Sequence, residues 1–307
     1  MFDRVIVPVD EGVDVQLLER PRLLARALNC ELTLVHVHQP REAPGELEGL
    51  PQYRYQHVLE TWDSRDADRE AREAEWLADL ADTVASMDPE LGVTSRVVHA
   101  PLSRCVHRED EKILAVSPAA DPRTGELDPT AREIIRTCGV PVLLFRPEMH
   151  LLPIRRVLVT LDGSRFSEEA LVPAIELARA TGARLTLLEV VTRHSGLVRL
   201  VYPAERSAES AEANLREIAE RMPPELGPVD VKVVEHPSAT GGILQETRRD
   251  QVDLVVMATH GRGGLRRLLL GSVAESVVHA APVPVVVYRP QGVGSQAGDA
   301  GMAGSKA

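Results

Sequence analysis

At 307 residues the chain has room for two domains of ordinary size; 44% of it is hydrophobic but only 3% is aromatic, so its cores must be aliphatic. A formal net charge of −11 argues against a general nucleic-acid binder or a protein held on an anionic membrane, since both need basic patches, and leaves room for one small basic pocket. Cys30, Cys105 and Cys138 form no Cys-x-x-Cys pair, so neither a zinc ribbon nor a dithiol motif fits, and free thiols in a reduced cytosol are expected.

The residues Met1-Phe2-Asp3-Arg4 run straight into an apolar stretch that reads as a strand. No leader precedes it, and no stretch approaches the ~20 apolar residues of a membrane span, so a cytoplasmic protein is expected. That opening stretch, Arg-Val-Ile-Val-Pro-Val-Asp at 4–10, returns as Arg-Val-Leu-Val-Thr-Leu-Asp at 156–162. Pro21 matches Pro173 at the same offset, and Leu32-Thr33-Leu34 matches Leu185-Thr186-Leu187 one residue further on. Just before these, Asn29 matches Gly182, two residues that tolerate the left-handed conformation ending a helix. Near the ends, Val140-Pro141-Val142 and Phe145-Arg146-Pro147 match Val283-Pro284-Val285 and Tyr288-Arg289-Pro290 at a shorter offset. Landmarks in one order with a shrinking offset indicate duplication followed by deletion in the first copy.

In that first copy a long connection follows the second strand, then a charged helix at about 62–87, and the third-to-fourth strand connection is shortened. The second copy opens with a continuous aliphatic run at 156–161, suited to a strand covered on both faces. Ser164 or Ser167 can cap the next helix, which carries Leu171, Ile175 and Ala178 at helical spacing and which Pro173 should kink or delay. The remaining signals are strands at 185–190, 229–234, 252–257 and 284–288, and helices at 205–221, 239–249 and 272–280. Pro284, opening the last strand, suits an edge position. Alternating strands and helices predict a mostly parallel sheet. The expected architecture is α/β: two tandem doubly wound domains, 1–150 and 151–290, each a five-stranded sheet with helices on both faces. A Gly-, Ala- and Ser-rich tail at 291–307 is expected to be disordered.

The segment that carries chemistry runs from Met257 to Ala274, directly after a strand and ending at a helix start. Its glycines allow the backbone to approach phosphate oxygens. Gly271 and Ser272 open a helix whose free N–H groups and dipole favour an anion. Arg262, Arg266 and Arg267 add positive charge in an acidic protein, and Asp162, ending the first strand, faces the same crevice. The segment is neither a Walker loop nor the dinucleotide fingerprint, because Gly-Lys-Ser/Thr is missing and position 266 is Arg. By spacing alone it serves equally well as turn chemistry.

The segment resembles the universal stress protein family, whose ATP-binding members carry Gly-x-x-Gly, nine residues, then Gly followed by Ser or Thr. Here the pattern reads Ala258-Thr259-His260-Gly261, then Arg262 to Leu270, then Gly271-Ser272. The opening strand to Asp162, the second strand Leu187-Leu188-Glu189-Val190 and the closing strand Val283 to Val287 match in order, over about 153–290 and more weakly over 2–147. The resemblance implies a tandem member with Rossmann-like domains and an ATP site, with or without magnesium. Asp162 and the Val190 backbone would meet adenine and ribose, Gly261, Arg262, Gly271, Ser272 and Val273 would cradle the phosphates, and Thr160 and Ala258 would belong to the same nucleotide site. Ala258 departs from the family's glycine, and weakened binding is the most that its methyl is expected to cause.

The equivalent stretch of the first copy runs from Ser117 to Thr130, with Asp128 where Gly271 stands, at the offset that pairs Pro141 with Pro284. Asp121, Glu126 and Asp128 would repel phosphate and Pro129 removes an N–H, so that copy is expected to bind no ATP although Asp10 survives. His36 and His38 share a strand face, but no third ligand is placed by sequence and no metal is assigned. His260 reads as a turn residue. Trp62 and Trp76 are expected to pack against the neighbouring copy, and the run from Asp63 to Glu75 to form a solvated helix face.

The reading is an ATP-binding regulatory protein of the stress-response type, acting by nucleotide-dependent binding. Its expected partners are an adenine nucleotide and a protein that the sequence does not name, with no nucleic acid and no membrane. The two copies would pair as a pseudo-dimer, within one chain or between chains as a homodimer. No general base is placed, so no enzyme is assigned, and slow hydrolysis is left open. The alternatives are an adenylyl-transferring or nucleotide-hydrolysing enzyme, which would need a catalytic Lys or His-x-Gly-His, and an interaction scaffold with a vestigial site.

Overall fold

The computed structural model describes residues 2–39, 52–99, 112–119, 126–193, 207–259 and 270–289, with 52–63 described for the backbone alone. The expected tail at 291–307 lies outside these residues. The first half runs β1 (Arg4–Pro8), α1 (Val15–Ala27), β2 (Glu31–His38), α2 (Gln52–Met87), β3 (Val93–His99), β4 (Ile113–Pro118), α3 (Pro129–Thr137) and β5 (Val142–Phe145). The second runs β6 (Arg156–Leu161), α4 (Arg165–Glu168), α5 (Leu171–Thr181), β7 (Arg184–Thr192), α6 (Ala208–Glu220), β8 (Asp230–His236), α7 (Ala239–Arg249), β9 (Leu254–Ala258), α8 (Ser272–Ala280) and β10 (Val285–Tyr288). The α/β class with a mostly parallel sheet, expected from the alternating signals, is the one the chain adopts.

The ten strands of the described residues form one sheet in the order β3-β2-β1-β4-β5-β10-β9-β6-β7-β8. Each half repeats the same order outward from the middle, and every neighbouring pair within a half is parallel. The halves meet where β5 and β10 pair antiparallel, with Val285 opposite Leu144 and Val287 opposite Val142. The pairing of closing strands therefore occurs within one chain. It also overturns the edge placement of Pro284, because β10 lies at the centre of the sheet. The proline precedes the strand by one residue, where its missing N–H costs no ladder bond, and its carbonyl accepts from Val255 at 3.1 Å.

Local signals explain the elements. Asp14, Ser164, Ser207 and Ser238 each cap a helix start through a side-chain oxygen. Asn29 and Gly182, matched in the two copies, both take positive φ, 52° and 69°, where α1 and α5 end. Pro173 acts as a delay. A short α4 stops at Glu168, and α5 restarts with the proline in its first turn, where no N–H partner is required.

Residues alternating along the strands fill two aliphatic layers, one on each face of the sheet. Val157, Val159, Leu254 and Val256 belong to the layer beneath α5, and Leu158, Val255 and Met257 to that beneath α8. Each such side chain contributes roughly 1.5–3 kcal/mol on full burial. The outer strands β3 and β8 carry Arg96, Lys232 and Glu235, charges that discourage further strand pairing.

Three further expectations are corrected. The charged helix is described from Gln52 onward, so it extends well before about 62, and part of its run from Asp63 to Glu75 faces inward. Glu73 is buried and Asp66, Arg69 and Glu70 are half-buried, because they continue the face that carries Leu77, Leu80, Ala81 and Val84. Trp76 on this face meets the edge of His36 in its own half, with ring centroids 5.4 Å apart; the side chain of Trp62 lies outside the described residues. Cys138 is buried, burial pushes the Cys30 thiol up to about 11, and Cys105 is outside the description.

Candidate nucleotide site

In the second half the chain leaves β6 toward β7 and leaves β9 toward β10, so the strand order reverses between β6 and β9. A crevice opens at the carboxyl ends of such a pair, where doubly wound sheets hold ligands. Thr160 is buried in β6 between Leu188 and Met257. Asp162 follows the strand, half-buried and held: its Oδ1 accepts from the Ser164 amide at 2.9 Å, and its own amide donates to Ser167 Oγ at 3.2 Å. Val190 stands near the end of β7, half-buried and opposite Val234. Helix α7 comes close to it through Gly242, where a Cβ would fall 2.6 Å from Val190 Cγ1. A side chain at 242 would thus push α7 away from this corner.

The phosphate segment is closed at its base. Buried Thr259 donates to the Tyr288 carbonyl at 3.0 Å and accepts from the Gly271 amide at 2.7 Å. Between these anchors, 260–269 lie outside the described residues, and with them Gly261, Arg262, His260, Arg266 and Arg267. Ala258 ends β9 opposite Tyr288, and its methyl is buried in the layer beneath α5, the face away from α8.

Helix α8 begins beside these residues. Gly271 is its N-cap in an extended conformation, φ −66° and ψ 152°, with no side-chain capping bond. The amides of Ser272, Val273 and Ala274 have no carbonyl partner within the helix, and the positive end of its dipole points the same way. Ser272 is exposed and Val273 half-buried. The fold thus brings Thr160, Asp162, Val190, Ala258, Gly271, Ser272 and Val273 to one end of the sheet, and the arrangement can accept an anion.

The first half differs where the alignment placed Asp128. That residue is the N-cap of α3, and its Oδ1 accepts from the amides of Thr130 at 3.0 Å and Ala131 at 2.9 Å. Ser117 Oγ donates to the same oxygen at 3.4 Å. Pro129 occupies the first helical position, which needs no N–H. A carboxylate belonging to the chain therefore sits where α8 has a glycine with no side-chain cap. Desolvation raises its pKa and the nearby Asp10 charge adds to this, against the lowering effect of the amide bonds. Asp121 lies outside the described residues, and Glu126 is exposed.

A family model described as universal stress protein family matches residues 153–289. A universal stress protein of Mycobacterium tuberculosis is 30% identical over 275 residues, spanning 85% of this chain and 88% of the relative. The chain belongs to the universal stress protein family. Another such protein, from Methanocaldococcus jannaschii, is 34% identical over 143 residues, 44% of this chain and 82% of that relative. In shape, a universal stress protein from Archaeoglobus fulgidus has a TM-score of 0.62 at 17% identity, covering 93% of this chain and 98% of that one. A putative universal stress protein from Pseudomonas aeruginosa has a TM-score of 0.54 at 18% identity, covering 94% of each chain. These two show that the fold extends across both halves. Among the described residues no helix of this universal stress protein is long and apolar enough to cross a membrane.

The role of Gly242 was not read from the sequence, although Gly241-Gly242 inside a helix pattern was a signal for close approach. A groove of about 900 Å³ lies at the opposite ends of β1 and β2, lined by Arg4, Arg26, Cys30, Glu31 and Glu90. Its charged groups pair with one another, Arg4 with Glu31 at 3.3 Å and Arg26 with Glu90 at 2.8 Å, and it is remote from the strand ends that form the crevice.

Proposed function

We propose that this universal stress protein is a regulatory protein that binds ATP in its second half and acts by nucleotide-dependent contacts with a protein partner. The observation that carries the reading is the start of α8, whose glycine N-cap brings no side-chain cap, at the point where the strand order reverses. The match of Ala258 to Ser272 with the family's phosphate pattern supports the same ligand. Asp162 and the Val190 backbone would hold adenine and ribose, and Gly261, Arg262, Ser272 and Val273 the phosphates. Magnesium, if bound with the nucleotide, would be held through the phosphates, with Ser272 the nearest hydroxyl on the helix start.

The protein works in this reading as a binder and is not an enzyme. Asp162 is committed to the Ser164 amide and is a poor candidate for a general base. Occupancy would shift the loop that follows Thr259 and so change the surface offered to a partner. The test is an equilibrium titration with ATP, repeated with Ser272→Ala, with phosphate release followed over the same period. Saturable binding weakened by the substitution, without release on the binding timescale, is the expected result. Rapid release would favour an enzyme, and no binding would favour a scaffold.

A further inference from the structure

The first half carries a second cluster with ligand chemistry, at the outer edge of the sheet. His38 ends β2 and His99 ends β3, and the two are directly opposite in the parallel register, with ring centroids 5.3 Å apart. Glu70 reaches them from α2, and one ligand atom from each of His38, Glu70 and His99 lies within 4.8 Å of the others. We propose that these three residues bind one divalent transition cation of the zinc class.

Several features of the cluster support a cation. His38 is buried, and its Nδ1 lies 2.5 Å from the Glu73 carboxylate. A carboxylate behind a ligand imidazole fixes the ring and raises its basicity, the arrangement that accompanies metal-bound histidine. Nε2 itself faces a second carboxylate, Asp66, at 3.2 Å. The spacing is also suitable. Bonds of ~2.0–2.1 Å in a tetrahedron place neighbouring ligand atoms about 3.3 Å apart. His99 Nε2 and Glu70 Oε1 are 3.1 Å apart, close to that edge.

Positive charge is already drawn to this place. The Arg69 guanidinium stands 3.5 Å from His38 Nε2 and 3.1 Å from Asp66 Oδ1, and also bonds the Gln39 carbonyl. It acts as a stand-in that a metal would displace toward solvent. Two imidazoles with a carboxylate select zinc-like ions over magnesium, which prefers oxygen ligands and retained water. His36 takes no part, since its Nδ1 bonds the Val9 carbonyl at 2.9 Å. Among the described residues the second half has no counterpart, because Val191 and Glu235 hold the register positions of His38 and His99.

The test uses the full chain without a histidine tag, stripped with a chelator and titrated with Zn²⁺ against a chromophoric competitor. One zinc per chain is expected. Affinity should fall at least about tenfold in His99→Ala and in Glu70→Gln, about 10–100-fold in Glu73→Gln, and rise in Arg69→Met. Co²⁺ should give the visible absorption of a four-coordinate site, lost in His99→Ala. Because Glu70 and His99 lie toward the surface, their variants should keep the thermal midpoint of the stripped protein. No zinc retained against the competitor, or equal affinity in the folded His99→Ala and Glu70→Gln variants, would overturn the proposal.

Discussion

Asp128 accepts a hydrogen bond from the Ala131 amide at 2.9 Å, whereas Gly271, its match in the second half, offers the amide of Ala274 no such partner. One chain thus holds the same helix start in two states, one capped by its own carboxylate and one opened by a glycine with no side-chain cap. The difference is directed chemistry at one position, and on the proposed reading it would decide which half takes an anion.

Transferring that carboxylate should close the second site. Gly271 has φ −66° and ψ 152°, which an aspartate adopts without strain, as Asp128 does nearby at φ −48° and ψ 131°. Gly271→Asp is expected to lower ATP affinity at least about tenfold, which corresponds to roughly 1.4 kcal/mol of lost binding. The thermal midpoint should hold or rise, because a cap is gained. Isothermal titration and a melting curve on the same sample check both. Unchanged affinity would remove α8 from the site.

In the first half the cap and its charge can be separated. Asp128→Ala should cost about 1 kcal/mol through the lost cap, while Asp128→Asn keeps it. Burial holds the Asp128 carboxyl above its usual value, so between the unfolded and folded pKa the folded chain binds more protons than the unfolded one. This residue's contribution to stability therefore falls as pH rises through that window and stays reduced above it. Asp128→Asn should gain on the parent protein from pH ~4 upward, read from denaturant midpoints. A gain that grows toward acid would show the opposite sign.

Ala258 is where the phosphate pattern departs from the family's glycine, and its buried methyl faces the layer beneath α5. Ala258→Gly should change ATP affinity less than about threefold, under 1 kcal/mol. It should destabilise the strand by roughly 0.5–1 kcal/mol. A strong rise in affinity by the same titration would show that the methyl obstructs the phosphates.

The other end of α8 is held by the first half. Arg146 donates to the carbonyls of His279 at 3.0 Å and Ala281 at 2.9 Å, a cation at the negative end of the helix dipole. Arg146→Ala should lower stability by about 1 kcal/mol, less than a buried charged bond because the side chain is partly exposed. Denaturant unfolding measures it, and an unchanged midpoint would show that the contact carries no weight.

Much of this was legible in the residues because the signals are local. The helices at 239–249 and 272–280 are observed over the same residues, since Ser238 and Gly271 mark their starts. The β6 run was legible because a strand covered on both faces is continuously aliphatic. What escaped was long-range or masked by composition. Nothing near Pro284 announces that β10 lies against β5, so the proline was read as an edge signal. Asp66, Arg69, Glu70 and Glu73 looked like a solvated run, although their spacing leads directly into Leu77 and Leu80; the imidazoles that receive them are far away in sequence. In the site, Asp162 and the start of α8 were legible from strand and helix ends, whereas the approach of Gly242 to Val190 depends on tertiary packing.

The central claim, one nucleotide site in the second half and none in the first, is tested most directly by the stoichiometry of ATP bound at saturation by the full chain and by Gly271→Asp. One nucleotide per chain, falling to none in the variant, is predicted. Two per chain, or one that persists in the folded variant, would contradict it.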